Sequence, residues 1–300
     1  MPRVTLPRKL GEPAAVQIIP CASWDEFKSQ LRFEHDVVGY GRDPLYRGHA
    51  RADWKLASPW ERELERSGPR SQEENKRLLA QLLENFKDMT IGLPGIRTLD
   101  LHSDDDWWTL GRHYDLATPL LDWTRSPFVA AFFAFTGLLE QVSPGATKLG
   151  SVDIDALISQ KSAEKVAIWS FVIQSMESEP PLGLEIVSSR TDIGHRQRAQ
   201  RGVFTRLTND THFCLEDYLE SLQPKHPPLR KYIVPGWAAS DAIRDLRMMN
   251  ITFATLFPDL TGAALQANFE MAMSTIGPLA SLTSETWNSI VEPKKDSAER

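Results

Sequence analysis

The sequence predicts an α+β fold, a mixed or antiparallel β core with an N-terminal helical portion packed on it. Three observations point there. The first half of the chain carries capping-box starts followed by apolar residues at helical spacing. Residues 166–234 instead hold short runs rich in β-branched and aromatic residues. Between the two lies an abrupt joint, in which Leu120-Leu121-Asp122-Trp123-Thr124 runs into Arg125-Ser126-Pro127 and then into an almost wholly apolar stretch.

Taken along the chain, residues 1–20 are Pro-rich and read as a loose segment. Ser23-Trp24-Asp25-Glu26 opens a helix reaching about residue 37, with Trp24, Phe27 and Leu31 on one face. The turn Gly41-Arg42-Asp43-Pro44 leads into a short strand, Leu45-Tyr46-Arg47-Gly48-His49. Ser71-Gln72-Glu73-Glu74 starts a second helix, striped by Leu78, Leu79, Leu82, Leu83 and Phe86. Ser103 starts a third, whose Trp107 and Trp108 read as core anchors rather than a base-stacking platform. At the joint, Ser126 suits an N-cap and Pro127 the first helical position. Residues 166–173 read as a central strand, with 184–188, 203–207 and 231–234 as companions. Helices over 240–249 and 260–273 close a single domain spanning 21–277, and residues 278–300 read as a disordered tail.

Four clusters carry the candidate chemistry. Tyr46-Arg47-Gly48 lies on the first strand, Gly111-Arg112-His113-Tyr114-Asp115 at a helix end, Asp122 to Ser126 at the joint, and Arg196-Gln197-Arg198-Ala199-Gln200-Arg201-Gly202-Val203-Phe204-Thr205 ahead of a later strand. A strand end feeding a helix start favours anions, because its backbone N–H groups face outward. Each residue also has a plainer account: Arg47 as a structural ion-pair partner, His113 bonded to backbone, Asp122 capping its own turn. Asp122 nevertheless stands between Leu121 and Trp123, so its carboxylate needs a partner, with Arg47 or Arg196 the natural candidates.

In this order the motifs resemble the FRG domain family over roughly residues 20–270, extending to Ile251 and the Leu256-Phe257-Pro258-Asp259-Leu260 stretch. Tyr46 stands where that family's name-giving Phe would be, and Arg112 where a Gln is expected. A more distant resemblance is to ADP-ribosyltransferases. It implies NAD as substrate, with Tyr46, Arg47, Gly48, His113, Thr124, Ser126 and Arg196 binding it. It implies Arg47, His113, Asp122 and Gln200 as the catalytic set. Gln200 occupies the position of the expected catalytic Glu, so either Asp122 or Glu185 supplies the charge or the domain binds without turnover. The activity implied is cleavage of the nicotinamide–ribose bond, with transfer of ADP-ribose to a protein or nucleic-acid acceptor or merely to water, as in an NAD glycohydrolase. The biological role implied is a bacterial toxin or anti-phage effector. The alternative is a non-catalytic nucleotide or nucleic-acid binding module using the same cleft.

Composition narrows the classes. At 300 residues and 41% hydrophobic, with nine Trp and thirteen Phe, the chain has ample material for a core. A net charge of −6 and a pI near 5.7 weigh against non-specific nucleic-acid binding. The exception is the arginine-rich stretch from Arg190 to Arg206. Cys21 and Cys214 alone suggest a reducing compartment, and a cytoplasmic location is expected. No Cys/His spacing suggests zinc, so no metal is expected, and nothing in the sequence suggests a membrane span.

Overall fold

The computed structural model describes residues 15–38, 44–68, 70–142, 164–172, 183–187, 195–208, 214–224 and 226–275. The tail from 278, most of the Pro-rich start, Gly41 to Asp43, and Arg190 lie outside these residues. The architecture is a mixed α/β arrangement built on one seven-stranded sheet. Its strands are β1 (Val16–Pro20), β2 (Leu45–His49), β3 (Leu121–Thr124), β4 (Lys165–Phe171), β5 (Leu184–Val187), β6 (Gly202–Leu207) and β7 (Leu229–Pro235), in spatial order β1-β7-β4-β2-β3-β6-β5. The β1–β7 pair is parallel and the other five pairings are antiparallel. Residues 16–20, read from composition as loose, therefore form an edge strand. Their partner lies some two hundred residues away, Val16 opposite Leu229, which local composition does not reveal.

Strand alternation divides the core in two. On one face, Tyr46, Ile168, Tyr232 and Val234 meet helix α1 (Trp24–Val38) and helix α5 (Pro127–Val142). On the other, Leu45, Trp123, Trp169 and Phe171 meet a short helix, α7 (Leu215–Ser221). Helix α5 is apolar on nearly every side because it is enclosed, and its Ala130, Ala131, Ala134 and Phe135 are buried against the sheet. Its start follows the sequence signal: Ser126 Oγ accepts the Val129 N–H at 3.3 Å.

The remaining helices are α2 (Pro59–Ser67), α3 (Gln72–Thr90), α4 (Asp104–His113), α6 (Arg196–Ala199), α8 (Ala239–Met248), α9 (Phe253–Leu256) and α10 (Leu260–Thr275). Helix α4 opens on a capping box between Ser103 and Asp106. Trp108 is buried with Leu83, Leu120 and Phe204, the core role the sequence suggests.

Candidate functional site

Strands β2 and β3 are adjacent, yet they share a single ladder pair, Tyr46 opposite Thr124. By contrast β2 pairs along all five residues with β4, and β3 along all four with β6. The sheet therefore splits between β2 and β3. One backbone acceptor freed by the split is satisfied by a side chain: Arg47 Nη1 donates to the Asp122 carbonyl at 2.7 Å.

A cavity of about 370 Å³ opens at this split. Strand β2 contributes Tyr46, Arg47 and Gly48, and β3 contributes Asp122, Trp123 and Thr124. Helix α4 presents Thr109, Arg112 and His113, three positions on one helical face. Phe133 of α5, Phe204 of β6, Phe257, and Arg196, Gln197 and Gln200 around α6 complete the wall. Of the nine residues the sequence singles out, eight meet here. Ser126 does not line the cavity; its side chain is spent on capping α5.

Charge in the cleft is organised around Asp122. Arg112 Nε donates to both carboxylate oxygens at 3.1 Å, and Arg47 Nη1 lies 3.4 Å from Oδ2. The side chains of Arg47, Arg112 and Asp122 are 18%, 24% and 36% exposed, so two partly shielded cations share one carboxylate. Asp122 thus has the arginine partner its apolar neighbours demand. Its main ligand is Arg112, which the sequence marks only as a departure from an expected Gln. Arg196 is not a partner: it pairs with Asp259 at 2.6 Å and lies over the Phe257 ring, 5.1 Å from its centre.

Burial pulls the Arg47 pKa downward, and Asp122 opposes that. Behind Arg47, His49 is 4% exposed. Burial, reinforced by Arg47 and Lys231, holds its pKa well below the ordinary 6.5, so the ring is neutral. Its Nε2 lies 3.1 Å from Arg47 Nε and its Nδ1 3.2 Å from Trp169 Nε1. A neutral imidazole accepts at one nitrogen only, so these two donors compete for it. In the cleft itself, burial lowers the His113 pKa, and Arg196 lowers it further. That leaves a neutral base at neutral pH.

The third motif is tied to β3 by backbone. Thr124 Oγ1 donates to the Gln200 carbonyl at 2.6 Å and accepts the Ser126 N–H at 3.1 Å. The Gln200 side-chain amide donates to the Leu256 carbonyl at 3.2 Å. Gln200 thus lines the cavity and also fastens α9 to it. Glu185, the other acid considered from the sequence, is not brought in. It lies on edge strand β5, ion-paired with Arg206, which also pairs with Asp105 at 2.6 Å. Asp122 and the fully exposed Asp115 are the carboxylates lining the cleft.

Gly48 lines the cleft, and its lack of a side chain serves packing. A Cβ there would lie 1.9 Å from the Ala130 carbonyl oxygen and 2.8 Å from Ala134 N. Helix α5 approaches β2 this closely only because position 48 is bare. Sequence reasoning did not choose Thr109, Arg112 or Phe257 as site residues, although Arg112 and Phe257 stand within stretches it singles out. Thr109 and Arg112 sit three and four residues from a chosen residue or each other on α4, a spacing that finds them once the helix is placed. Among the described residues no three His, Cys, Asp or Glu side chains gather as a metal set would, and no helix is long and apolar enough to cross a membrane.

Residues 42–141 match the FRG domain family. The match holds β2, α4, β3 and nearly all of α5, so the split and its arginines lie within it. The Arg196–Thr205 and 251–262 stretches, attached to the same resemblance from sequence, fall outside it. No curated protein and no solved structure matches the chain.

Proposed function

We propose that the cleft binds NAD and that the protein acts as an ADP-ribosyltransferase-like enzyme, breaking the nicotinamide–ribose bond. The observation that carries this reading is convergence: Arg47, His113, Asp122, Thr124, Arg196 and Gln200, from four separate stretches of sequence, line one cavity. A space of about 370 Å³ suits a ligand of nucleotide size, near the lower end of small-molecule pockets. Arg47 and Arg112 offer guanidinium donors to pyrophosphate oxygens. As the C1′–N bond breaks, its electron pair leaves with nicotinamide and positive charge develops on the ribose. Asp122, held between the two arginines, is the carboxylate that would stabilise that charge. The incoming acceptor, a macromolecular nucleophile or water, bonds to C1′ and gives up a proton, for which neutral His113 is the available base. Consumption of NAD in this way would suit a toxin or anti-phage effector.

A second reading, recognition of a nucleotide without turnover, has its own support. Asp122 is already engaged by two arginines, and position 200 is an amide occupied with the Leu256 carbonyl. Incubation with NAD labelled on the adenylate, with and without cell lysate, separates the two. The enzyme reading expects free nicotinamide, abolished in Arg47→Ala while the protein remains folded, with a stability loss no larger than that of its bond to the Asp122 carbonyl. Binding of NAD with no nicotinamide released supports the second reading. Equal loss of stability and activity in Arg47→Ala would make that arginine structural.

A further inference from the structure

We propose that Thr109 is a ligand-binding residue which, together with Arg112, holds a phosphoryl oxygen of the bound molecule; this rests on the nucleotide reading above. Thr109 is 5% exposed and lines the cavity, while its hydroxyl oxygen is itself closed to solvent and has no hydrogen-bond partner. A buried hydroxyl left unpaired is costly, and valine would fill the same volume without that cost. Such an orphan in a cavity wall is accounted for by a partner that arrives with the ligand. A helical threonine has two low-energy rotamers, so a hydroxyl tied to nothing can turn to meet that partner.

The neighbours specify the chemistry. Arg112 follows Thr109 by three residues on the same face of α4. Its Nε is committed to Asp122, but its Nη1 is 3.9 Å from Asp115 Oδ1, beyond hydrogen-bond length. Across the split, Arg47 lines the same cavity and adds a second guanidinium group. An oxyanion with several oxygens fits such a set better than a sugar hydroxyl, which would leave the charges unanswered.

Thr118 provides an internal control. Its hydroxyl is also buried and without a partner, but it does not line the cavity. The experiment measures calorimetric binding of ADP-ribose and of inorganic pyrophosphate, together with thermal stability, for the full chain and its Thr109→Val, Thr109→Ser and Thr118→Val variants, and binding of NAD by the wild type. Thr109→Val should weaken both probes by about 10- to 100-fold, the range for a hydrogen bond to a charged group. It should leave the melting temperature unchanged or raised. Thr109→Ser should keep wild-type affinity, and Thr118→Val should leave binding untouched. Wild-type affinity in Thr109→Val overturns the assignment, as does weakened binding accompanied by a lower melting temperature and no rescue by Ser. If the wild type binds pyrophosphate but neither NAD nor ADP-ribose, the NAD reading fails, and Thr109 is judged on pyrophosphate alone. If it binds none of the three, both fall.

Discussion

Two carboxylates, Glu34 and Asp122, each lie against β2 and each hold an arginine, yet their surroundings are opposite. Glu34 is 1% exposed and receives four donors: Arg230 Nη1 at 2.7 Å, Ser170 Oγ at 2.6 Å, Tyr232 Oη at 3.0 Å and Tyr46 Oη at 3.4 Å. Asp122 is 36% exposed at the mouth of the split and receives guanidinium donors only. The first is a closed network in which Glu34 of α1 meets donors from β2, β4 and β7, where the strands pair along their full length. The second stands where the sheet parts. A carboxylate with every lone pair answered from within fixes the fold; one at an open edge leaves arginine donors for something else. Tyr46 joins the two, its hydroxyl on Glu34 and its body in the cleft wall.

The comparison breaks first at Glu34. Glu34→Ala leaves Arg230, Ser170 and two tyrosine hydroxyls without their acceptor. It should cost about 3–5 kcal/mol of unfolding free energy, read by urea titration. A loss under about 1 kcal/mol would mean that water replaces the carboxylate and that the network is not closed. Next is the packing that holds the split in place. Gly48→Ala drives a methyl into the Ala130 carbonyl of α5 and should cost about 3 kcal/mol, the upper end for overpacking. Full stability in that variant would show that α5 can retreat from β2.

His49 probes the ground behind Arg47. Its pKa is depressed on folding, so the unfolded chain binds the proton more readily. The stability held by the neutral ring is therefore complete above about pH 6.5 and is lost as pH falls below it, by up to about 1.4 kcal/mol per pH unit. Glu61 acts in the opposite sense, because burial raises its pKa to about 7 and its contribution shrinks as pH rises from 4.5 towards 7. The difference between the wild type and His49→Gln removes the Glu61 contribution. It should show the wild type losing stability faster between pH 6.5 and 5. Parallel curves would place a charged imidazole beside Arg47.

What the sequence revealed follows the range of the physics involved. Ser126 and Pro127 announce α5, alternation announces β2, and short apolar runs rich in β-branched and aromatic residues announce β4, β5, β6 and β7, because caps and short patterns act within a few residues. Helix α2 carries the same kind of signal, a capping box between Ser58 and Glu61, but is not among the helices expected above. Glu34 was not legible: on an amphipathic helix it looks like any solvated acid, and its burial depends on Arg230 and Tyr232 nearly two hundred residues away. Gly48 was legible as special but for a different reason, since its near neighbours belong to α5 and not to a ligand. Arg112 was visible only as an unexpected residue, because its meaning requires knowing that α4 ends beside β3.

Asp122 gives the smallest stability change and the sharpest division between the readings. Asp122→Ala should alter unfolding free energy by no more than about 1 kcal/mol, as expected for a partly exposed ion pair. Arg47 keeps its shortest bond, because that bond goes to the backbone carbonyl, which the substitution leaves in place. With the competing carboxylate gone, both guanidinium groups are freer for an anion. Pyrophosphate should therefore bind as tightly as in the wild type or severalfold more tightly, and the gain should fade as salt is added. Nicotinamide release should fall sharply in the same protein, because the developing ribose cation has lost its negative neighbour. Tighter anion binding with undiminished release would remove Asp122 from the chemistry and send the search for the acid elsewhere. Weaker anion binding would make Asp122 a brace for Arg112, which would bring it closer to Glu34 than the exposed position suggests.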